Sequence, residues 1–331
     1  MRAAIVVWVA LVAVSASACE KDANRMPAAK GSGKLTAAEA ELLVRLPAGG
    51  NAVFGGNYFD LQQWMATSPL AKLSKQMDPV MGKWNECLTR SEFSMAGTGG
   101  FSDGELRMAM YMKGLAIDQV SKCSAEAGLA AQRDDDGQFV SVRLETNDGV
   151  PIDMPYLAVA GGVYTVVILK VDLSGGGGVK PVSVGMARTD LEREQAGLAT
   201  SNLAGDARMT GWLAKVDRTR MFFFVGSGEG TPVADKVGMV YGGMSVDRGL
   251  DFDVTVELRG SGAVDDALRG WRSMRSELGK LPPSMRALAD TIRAVRMGKS
   301  PDGLRVVVRL TDAQLAAAAE AMAPFAGGLG Q

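Results

Sequence analysis

Three stretches of the sequence alternate residue by residue between an apolar set and a more polar set, and helical spacing follows two of them. The alternations occupy residues 106–113, 251–258 and 304–310. Because successive side chains of a β-strand point to opposite faces of a sheet, each stretch predicts a strand with one buried and one solvated face. Such strands are typical of antiparallel sheets. The sequence therefore predicts an α+β fold, in which helices pack on one face of an antiparallel sheet.

The repeated succession of strand and helix predicts two related halves. Further strands are expected at residues 139–145, 156–160, 164–172, 220–225 and 237–241. Four consecutive glycines at 175–178 indicate a hairpin tip or a boundary. We expect an N-terminal half over 35–185 and a C-terminal half over 186–331. The sequence leaves open whether each half has its own sheet or both share one.

Several helix starts carry local signals. Thr36 has the chemistry of an N-cap for a helix over residues 37–45, and Pro69 and Pro79 stand where proline is favoured, at the first helical position. The segment Thr311-Asp312-Ala313-Gln314 fits a capping box that opens the last helix.

Composition excludes several classes of function. Histidine is absent, which removes Ser-His-Asp and Cys-His catalysis and His-containing zinc sites. The net charge of −1 provides no basic field for nucleic acid. The mature chain has no S-x-x-K motif to indicate a serine nucleophile. We therefore predict no catalytic residue, no metal ligand and no cofactor.

The first eighteen residues have the three-part layout of an export signal. Arg2 supplies the positive start, residues 5–14 form an apolar run, and small residues follow at 15–18. The run is shorter than the roughly 20 apolar residues that span a bilayer. We expect residues 1–18 to be a signal peptide that is removed.

The residues Ala16-Ser17-Ala18-Cys19 resemble the lipobox of bacterial lipoproteins, although that family prefers Leu at the position of Ala16. The resemblance implies that Cys19 carries a lipid anchor with acyl chains such as palmitate. Ala16-Ser17-Ala18 also fits the A-x-A site of ordinary secretion, which would leave Cys19 bare. In that family, Asp after the cysteine favours the inner membrane, so Glu20 favours the outer membrane.

Three cysteines form an odd set, at positions 19, 87 and 123. In an exported protein an odd cysteine needs an explanation. The simplest explanation is that Cys19 carries a lipid and that Cys87 and Cys123 form a disulfide. The alternative for Cys87 and Cys123 is a pair of buried thiols, because cysteine is among the most buried residue types.

Residues 19–34 lack periodicity and end in Gly31-Ser32-Gly33, which predicts a flexible, lipid-anchored tether. A second resemblance begins beyond it, in Leu46-Pro47-Ala48, Ala52-Val53-Phe54, Asp60-Leu61 and Ser68-Pro69-Leu70. This pattern is similar to the opening of uncharacterised lipoproteins of myxobacteria and related lineages. That resemblance implies no known activity.

Three polar or glycine-rich motifs are candidate sites. Asp134-Asp135-Asp136-Gly137 is half of a calcium loop, but a solvated turn is favoured because the later ligands are missing. Residues 226–230 resemble a phosphate-binding loop. Thr231-Pro232 follow where a helix should begin, and no Lys-Ser or Lys-Thr is present there, which favours a hairpin loop. Asp251 and Asp253 share a strand face, where a solvated face is commoner than a catalytic pair.

Two further patterns could form binding surfaces. Met95, Met108, Met110 and Met112 could line a surface for apolar ligands, although core packing explains the same residues. The arginine-rich helical stretch 264–295 could lie on an anionic membrane, but interspersed acidic residues favour a mixed solvent face.

The sequence as a whole predicts a non-enzymatic cell-envelope lipoprotein, lipid-anchored and most consistent with the outer membrane. Its expected role is to bind a protein partner or an apolar ligand at the membrane surface, without nucleic acid. The alternatives are a hydrolase that uses carboxylates alone and a purely structural envelope component.

Overall fold

The alternating stretches all form strands of one antiparallel sheet. The computed structural model describes residues 25–69, 79–102, 104–145, 151–171, 181–231, 233–246, 249–280 and 286–326. Within that part, thirteen strands form one open sheet that carries helices, so the predicted α+β class and antiparallel sheet are confirmed. The leader, Cys19 and the glycines at 175–178 lie outside the described residues.

The strands are numbered in chain order. They are β1 (Ala52–Gly56), β2 (Ser94–Ser102), β3 (Glu105–Lys113), β4 (Ala130–Arg133), β5 (Phe139–Glu145), β6 (Pro151–Val159), β7 (Gly162–Val171), β8 (Pro181–Val184), β9 (Phe222–Ser227), β10 (Val237–Ser245), β11 (Leu250–Leu258), β12 (Val295–Ser300) and β13 (Gly303–Leu310).

Side-chain caps open some of the described α-helices, whereas others begin without one. The helices are α1 (Ala37–Leu43), α2 (Tyr58–Thr67), α3 (Pro79–Leu88), α4 (Ile117–Ala127), α5 (Arg188–Gly197), α6 (Ala207–Leu213), α7 (Ala263–Glu277), α8 (Arg286–Ala294) and α9 (Asp312–Ala326). Thr36 and Glu39 form a capping box at α1, and the Asp206 side chain accepts two backbone N–H bonds at α6. The helices α4, α5 and α7 begin without a side-chain cap. Pro79 is the first residue of α3, as expected. Ser68 is the C-cap of α2, and the helix predicted to start at Pro69 falls on residues 70–78, outside the described part.

Strand order places the two ends of the sheet far apart. The order is β12-β13-β11-β10-β9-β1-β2-β3-β7-β6-β5-β4, and β8 pairs with the end of β7. Twelve strands spaced at about 4.8 Å span roughly 50 Å. The β12 end and the β4 end are therefore the two ends of the sheet.

The register shows which side chains share a face. One line of directly opposed residues runs Arg305, Thr255, Tyr241, Val225, Val53, Thr98, Ala109 and Val166. Cross-strand neighbours point the same way, so Arg305 at one end shares a face with Val166 on the other side of the central strands. Phe54 and Val256 each follow a member of this line and point to the opposite face.

Helices cover both faces, not one face as the sequence predicted. Val53 lies in a core cluster with α1, α5 and α6, through residues such as Leu43, Leu191 and Met209. Its neighbour Phe54 packs against a second cluster that includes α3 and α4. The alternation in β3 misled the prediction because Ala109 and Tyr111, on its more polar side, are both buried. A small or aromatic residue in a strand is compatible with either environment.

The two halves repeat one topology and share one sheet. In the first half β1, β2 and β3 are successive neighbours, α4 follows, and the hairpin β6–β7 joins the sheet through β7 beside β3. In the second half β9, β10 and β11 are successive neighbours, α7 follows, and the hairpin β12–β13 joins through β13 beside β11. β4, β5 and β8 are additional in the first half. The halves meet where β1 pairs with β9.

Candidate functional site

The N-terminal segment lies against the sheet from the first described residue. We call residues 25–35 the strap. Arg25 forms a parallel bridge with Lys299 of β12, and the backbone N–H of Met26 donates to the Lys299 carbonyl at 2.7 Å. These residues belong to the segment expected to be a flexible tether. The strap therefore starts at the β12 end of the sheet, six residues after Cys19.

Arg305 holds the next part of the strap. Its guanidinium donates to the carbonyls of Pro27 at 2.7 Å and Ala28 at 3.3 Å. The same group binds both carboxylate oxygens of Asp253, at 2.9 and 2.6 Å. The hydrogen bonds to Asp253 raise the pKa of Arg305, although burial opposes the shift. A bidentate pair of this kind fixes the guanidinium plane, so its remaining donors point at the strap.

Arg218 holds the far end of the strap from inside the protein. Its side chain is only 2% exposed and makes a salt bridge to Glu39 of α1 at 2.6 Å. It also donates to the carbonyls of Gly33 at 3.2 Å, Lys34 at 2.9 Å and Leu213 at 2.5 Å. This set of acceptors compensates the cost of burying a charged guanidinium.

The contacts with Arg218 also change the pKa of Glu39. Burial disfavours its charged form, but hydrogen bonds from Arg218 and Thr36 outweigh burial and hold the pKa of Glu39 below its ordinary value. The carboxylate therefore couples the cap of α1 to the buried arginine.

Close backbone packing explains the glycine at the centre of the strap. A Cβ on Gly31 would lie 2.3 Å from the carbonyl oxygen of Ala214. The N–H of Ser32 donates to the Val216 carbonyl at 2.9 Å, and its hydroxyl accepts from the N–H of Arg218 at 2.8 Å. The Gly31-Ser32-Gly33 sequence, which predicted a flexible segment, thus packs closely against residues 214–218.

The paired carboxylates of β11 are bound by arginines. Asp251 accepts from Arg220 at 3.2 Å and from Arg309 at 3.1 Å. Asp253 is bound by Arg305, with Arg220 at 3.5 Å. The surroundings are therefore basic, whereas general acid catalysis by a carboxyl group is favoured by an apolar surround.

The triple-aspartate motif also receives an arginine. Arg188 of α5 lies 2.5 Å from Asp134 and 2.7 Å from Asp136. The Gln138 backbone N–H, and then Arg188, hold the pKa of Asp136 below its ordinary range. Among the described residues no cluster of three or more metal-ligating side chains occurs. The motif forms the turn between β4 and β5.

The glycine-rich loop after β9 is shaped by packing. Gly230 has φ +75°, and a Cβ there would lie 2.0 Å from the carbonyl oxygen of Phe101. The Asn51 side chain donates to the Glu229 carbonyl at 3.1 Å. The loop therefore belongs to the connection between the paired strands β9 and β10, and its glycines are explained by these packing contacts.

The four methionines divide between two core clusters on the face of Phe54. Met95 and Met112 are buried beneath α3 and α4, together with the two cysteines. Met108 packs in a separate cluster formed by strand residues, and Met110 packs against both clusters. The members of that strand cluster are Leu106, Met108, Met110, Leu144, Ile152, Met154, Val167 and Leu169.

Cys87 and Cys123, which the sequence expects to pair, form a disulfide in the structure. It joins α3 to α4 with a Cα–Cα distance of 5.3 Å, and both residues are at most 1% exposed. The Gln119 amide lies 3.4 Å from the sulfur of Cys123. Burial of this kind protects the bond from solvent.

The arginine-rich stretch ends differently from its prediction. It forms α7 and α8, and β12 begins at Val295. Ion pairs join Arg269 to Asp266 and Arg293 to Asp290 along the helices. No helix in the described ranges is long and apolar enough to cross a membrane.

Comparison with known proteins gives little further guidance. No family model matches the chain, and no curated protein matches it. Crystal structures of TP0453 are similar in crystal form I (TM-score 0.32, 12% identity, 84% of this chain and 96% of that one) and form III (0.34, 11%, 83% and 96%). Crystal form IV has a TM-score of 0.38 and 10% sequence identity, over 83% of this chain and 94% of that one. These TM-scores carry no argument about function.

Sequence reasoning missed the residues that hold the strap. The sequence offers one signal, because Arg305 interrupts an apolar strand on the same face as Asp253. Arg218 offers no such signal, since its partners in the strap and in α1 lie about 180 residues earlier in the chain.

Proposed function

We propose that this protein is a non-enzymatic cell-envelope lipoprotein, anchored through Cys19 and placed at the outer membrane. It binds an envelope protein or an apolar ligand at the membrane surface. The leader, the lipobox-like residues and Glu20 motivate the anchor and the address.

One structural observation carries this proposal. The disulfide uses Cys87 and Cys123 and leaves Cys19 as the odd cysteine of the chain. Disulfides persist in exported proteins, where a spare thiol is a liability unless it is modified. Acylation of Cys19 accounts for both facts.

The hydrolase alternative is less well supported. Its candidate carboxylates, Asp251 and Asp253, are engaged by Arg220, Arg305 and Arg309. Opposite charges nearby favour the ionised carboxylate, whereas an acid–base pair needs one member protonated.

Cell fractionation tests the anchor. The wild-type chain should sediment with the outer membrane, and a Cys19→Ser variant should be released into the soluble envelope fraction. Cys87→Ala/Cys123→Ala is the matched control, since it removes cysteines without touching the anchor. Equal membrane association of wild type and Cys19→Ser would contradict acylation.

Affinity purification from native envelopes tests the binding role. The tagged protein should enrich either one envelope protein or a bound lipid, detected by mass spectrometry after organic extraction. A Met108→Gln variant tests whether an apolar ligand uses the strand cluster, with Met274→Gln on exposed α7 as control. Enrichment of neither protein nor lipid would favour the structural alternative.

A further inference from the structure

The strap fixes where the anchor leaves the protein. Arg25 is the first described residue and pairs with Lys299 in β12. Six Cα–Cα steps separate Cys19 from Arg25, which can span at most about 20–22 Å. The sheet extends roughly 50 Å from β12 to β4. A lipid on Cys19 therefore holds the β12 end near the bilayer and leaves room for the β4 end to stand away from it.

The β12 end also carries a positive balance. Arg25, Arg293, Arg296 and Lys299 are all exposed there. Acids among the described residues nearby include Asp290 at 2.7 Å from Arg293, Asp265 at 3.3 Å from Lys299, and the exposed Asp302 in the turn between β12 and β13. Both pairs are solvent-exposed, and such pairs are weak. Arg296 forms no ion pair within the described residues.

Contacts of the strap keep this geometry fixed. Arg305 and Arg218 bind successive parts of the strap, so the exit point cannot slide along the sheet without breaking hydrogen bonds. Residues 25–34, ten of the sixteen residues expected to form the tether, are thus part of the described structure.

We propose that the β12 end of the sheet is a membrane-facing surface that binds anionic lipid headgroups. The inference rests on the proposed anchor at Cys19. It names the lipid surface as the occupant and places Arg296 and Lys299 at the headgroups. Basic residues close to an anionic bilayer are attracted over about a Debye length, near 8 Å at physiological salt.

Lysine footprinting on vesicles tests the orientation. The thiol of Cys19 in the mature chain is coupled to a maleimide lipid in phosphatidylethanolamine/phosphatidylglycerol vesicles, since Cys87 and Cys123 are paired. Acetylation of Lys299 should slow at least threefold relative to the lipid-free chain, while acetylation of Lys122 on α4 should not change. Unprotected Lys299, or equal protection of Lys122, would overturn the proposal.

Charge variants test the headgroup contact without the anchor. In a mature chain with Cys19→Ser, Arg296→Gln should weaken binding to the same vesicles about fivefold, because one basic residue near the surface contributes on that order. Arg193→Gln on distant, exposed α5 should leave binding unchanged. Equal affinities of these two variants would also overturn the proposal.

The two proposals fail separately. Chemical coupling supplies the anchor whether or not a cell acylates Cys19. If Lys299 is not protected on vesicles, only the membrane-facing surface is rejected. If the Cys19→Ser variant stays with the membrane in cells, only the native anchor is rejected.

Discussion

Arg218 is the residue on which the strap depends most. It is nearly inaccessible and satisfies one carboxylate and three carbonyls from two distant parts of the chain. Removing the guanidinium would leave these three carbonyls without this donor and the partly exposed Glu39 without its cation. A buried polar group that loses its partner costs about 1–3 kcal/mol.

An Arg218→Met variant should therefore lose about 3–5 kcal/mol of unfolding free energy. Urea unfolding followed by tryptophan fluorescence measures the loss. Arg193→Met is the matched control, because its salt bridge to Asp190 is 78% exposed on the arginine side and should contribute less than about 1 kcal/mol. Similar losses in both variants would show that Arg218 is not a buried anchor.

Glu39 makes the strap sensitive to acid. Its folded pKa lies below the ordinary 4.5, so its contribution is present above that value and is lost as pH falls through the folded pKa. Between pH 6 and pH 3 the wild type should lose more stability than a Glu39→Gln variant, measured as the urea midpoint. Glu41→Gln, which alters an exposed carboxyl on the same helix, should keep the wild-type pH dependence. Parallel pH profiles for wild type and Glu39→Gln would contradict this coupling.

Gly31 tests the close approach of the strap directly. A Gly31→Ala variant places a Cβ 2.3 Å from the Ala214 carbonyl oxygen, so the strap must move away. Trypsin should then cleave after Lys30 several times faster than in the wild type. Gly197→Ala is the control, because a Cβ there meets nothing within 4 Å. An unchanged cleavage rate at Lys30 would mean that residue 31 does not pack as described.

At the scale of elements, the sequence predicted strands well where apolar residues alternate. β5 matches its predicted range of 139–145, and β3, β11 and β13 lie within one or two residues of theirs. It missed β2, whose Ala-Gly-Thr-Gly-Gly core has little hydrophobic signal. It ended the arginine-rich helical stretch at Val295, whereas α8 ends at Ala294 and Val295 begins β12. The strand β12 is determined by its antiparallel pairing with β13, which a local sequence pattern does not show.

The disulfide is the covalent link between two elements of one face. It closes a loop with a sequence separation of 36, which in the chain-entropy model stabilises the fold by about 3–4 kcal/mol. A Cys87→Ala/Cys123→Ala variant should lose that amount in urea unfolding. Cys19→Ser, which keeps the disulfide, should match the wild type. A loss below about 1 kcal/mol would indicate that burial beneath α3 and α4, not the covalent bond, stabilises this face.

At the scale of the whole molecule, the repeated topology joins two halves through β1 and β9. The ends of the second strands even share a pattern, Gly99-Gly100-Phe101-Ser102 in β2 and Gly242-Gly243-Met244-Ser245 in β10. The sequence suggested the repeat but left the shared sheet open, because pairing between strands 170 residues apart leaves no local trace. The docking of the strap was equally hidden, since its acceptors are backbone carbonyls.

The proposed anchor at Cys19 would determine how this sheet is oriented relative to a membrane. If Cys19 is acylated, the β12 end lies at the bilayer and the disulfide-linked helices α3 and α4 belong to the half that extends outward. Partner or ligand binding would then take place at a surface held within a short distance of the membrane.

Mass spectrometry of the mature N-terminal peptide tests the central claim most directly. After expression in a bacterial host with intact lipoprotein processing and tryptic digestion, the peptide should begin at Cys19 and carry the mass of diacylglycerol with any further acyl chain. A peptide that begins at Cys19 with a free thiol, or one that retains residues 1–18, would contradict the lipoprotein assignment.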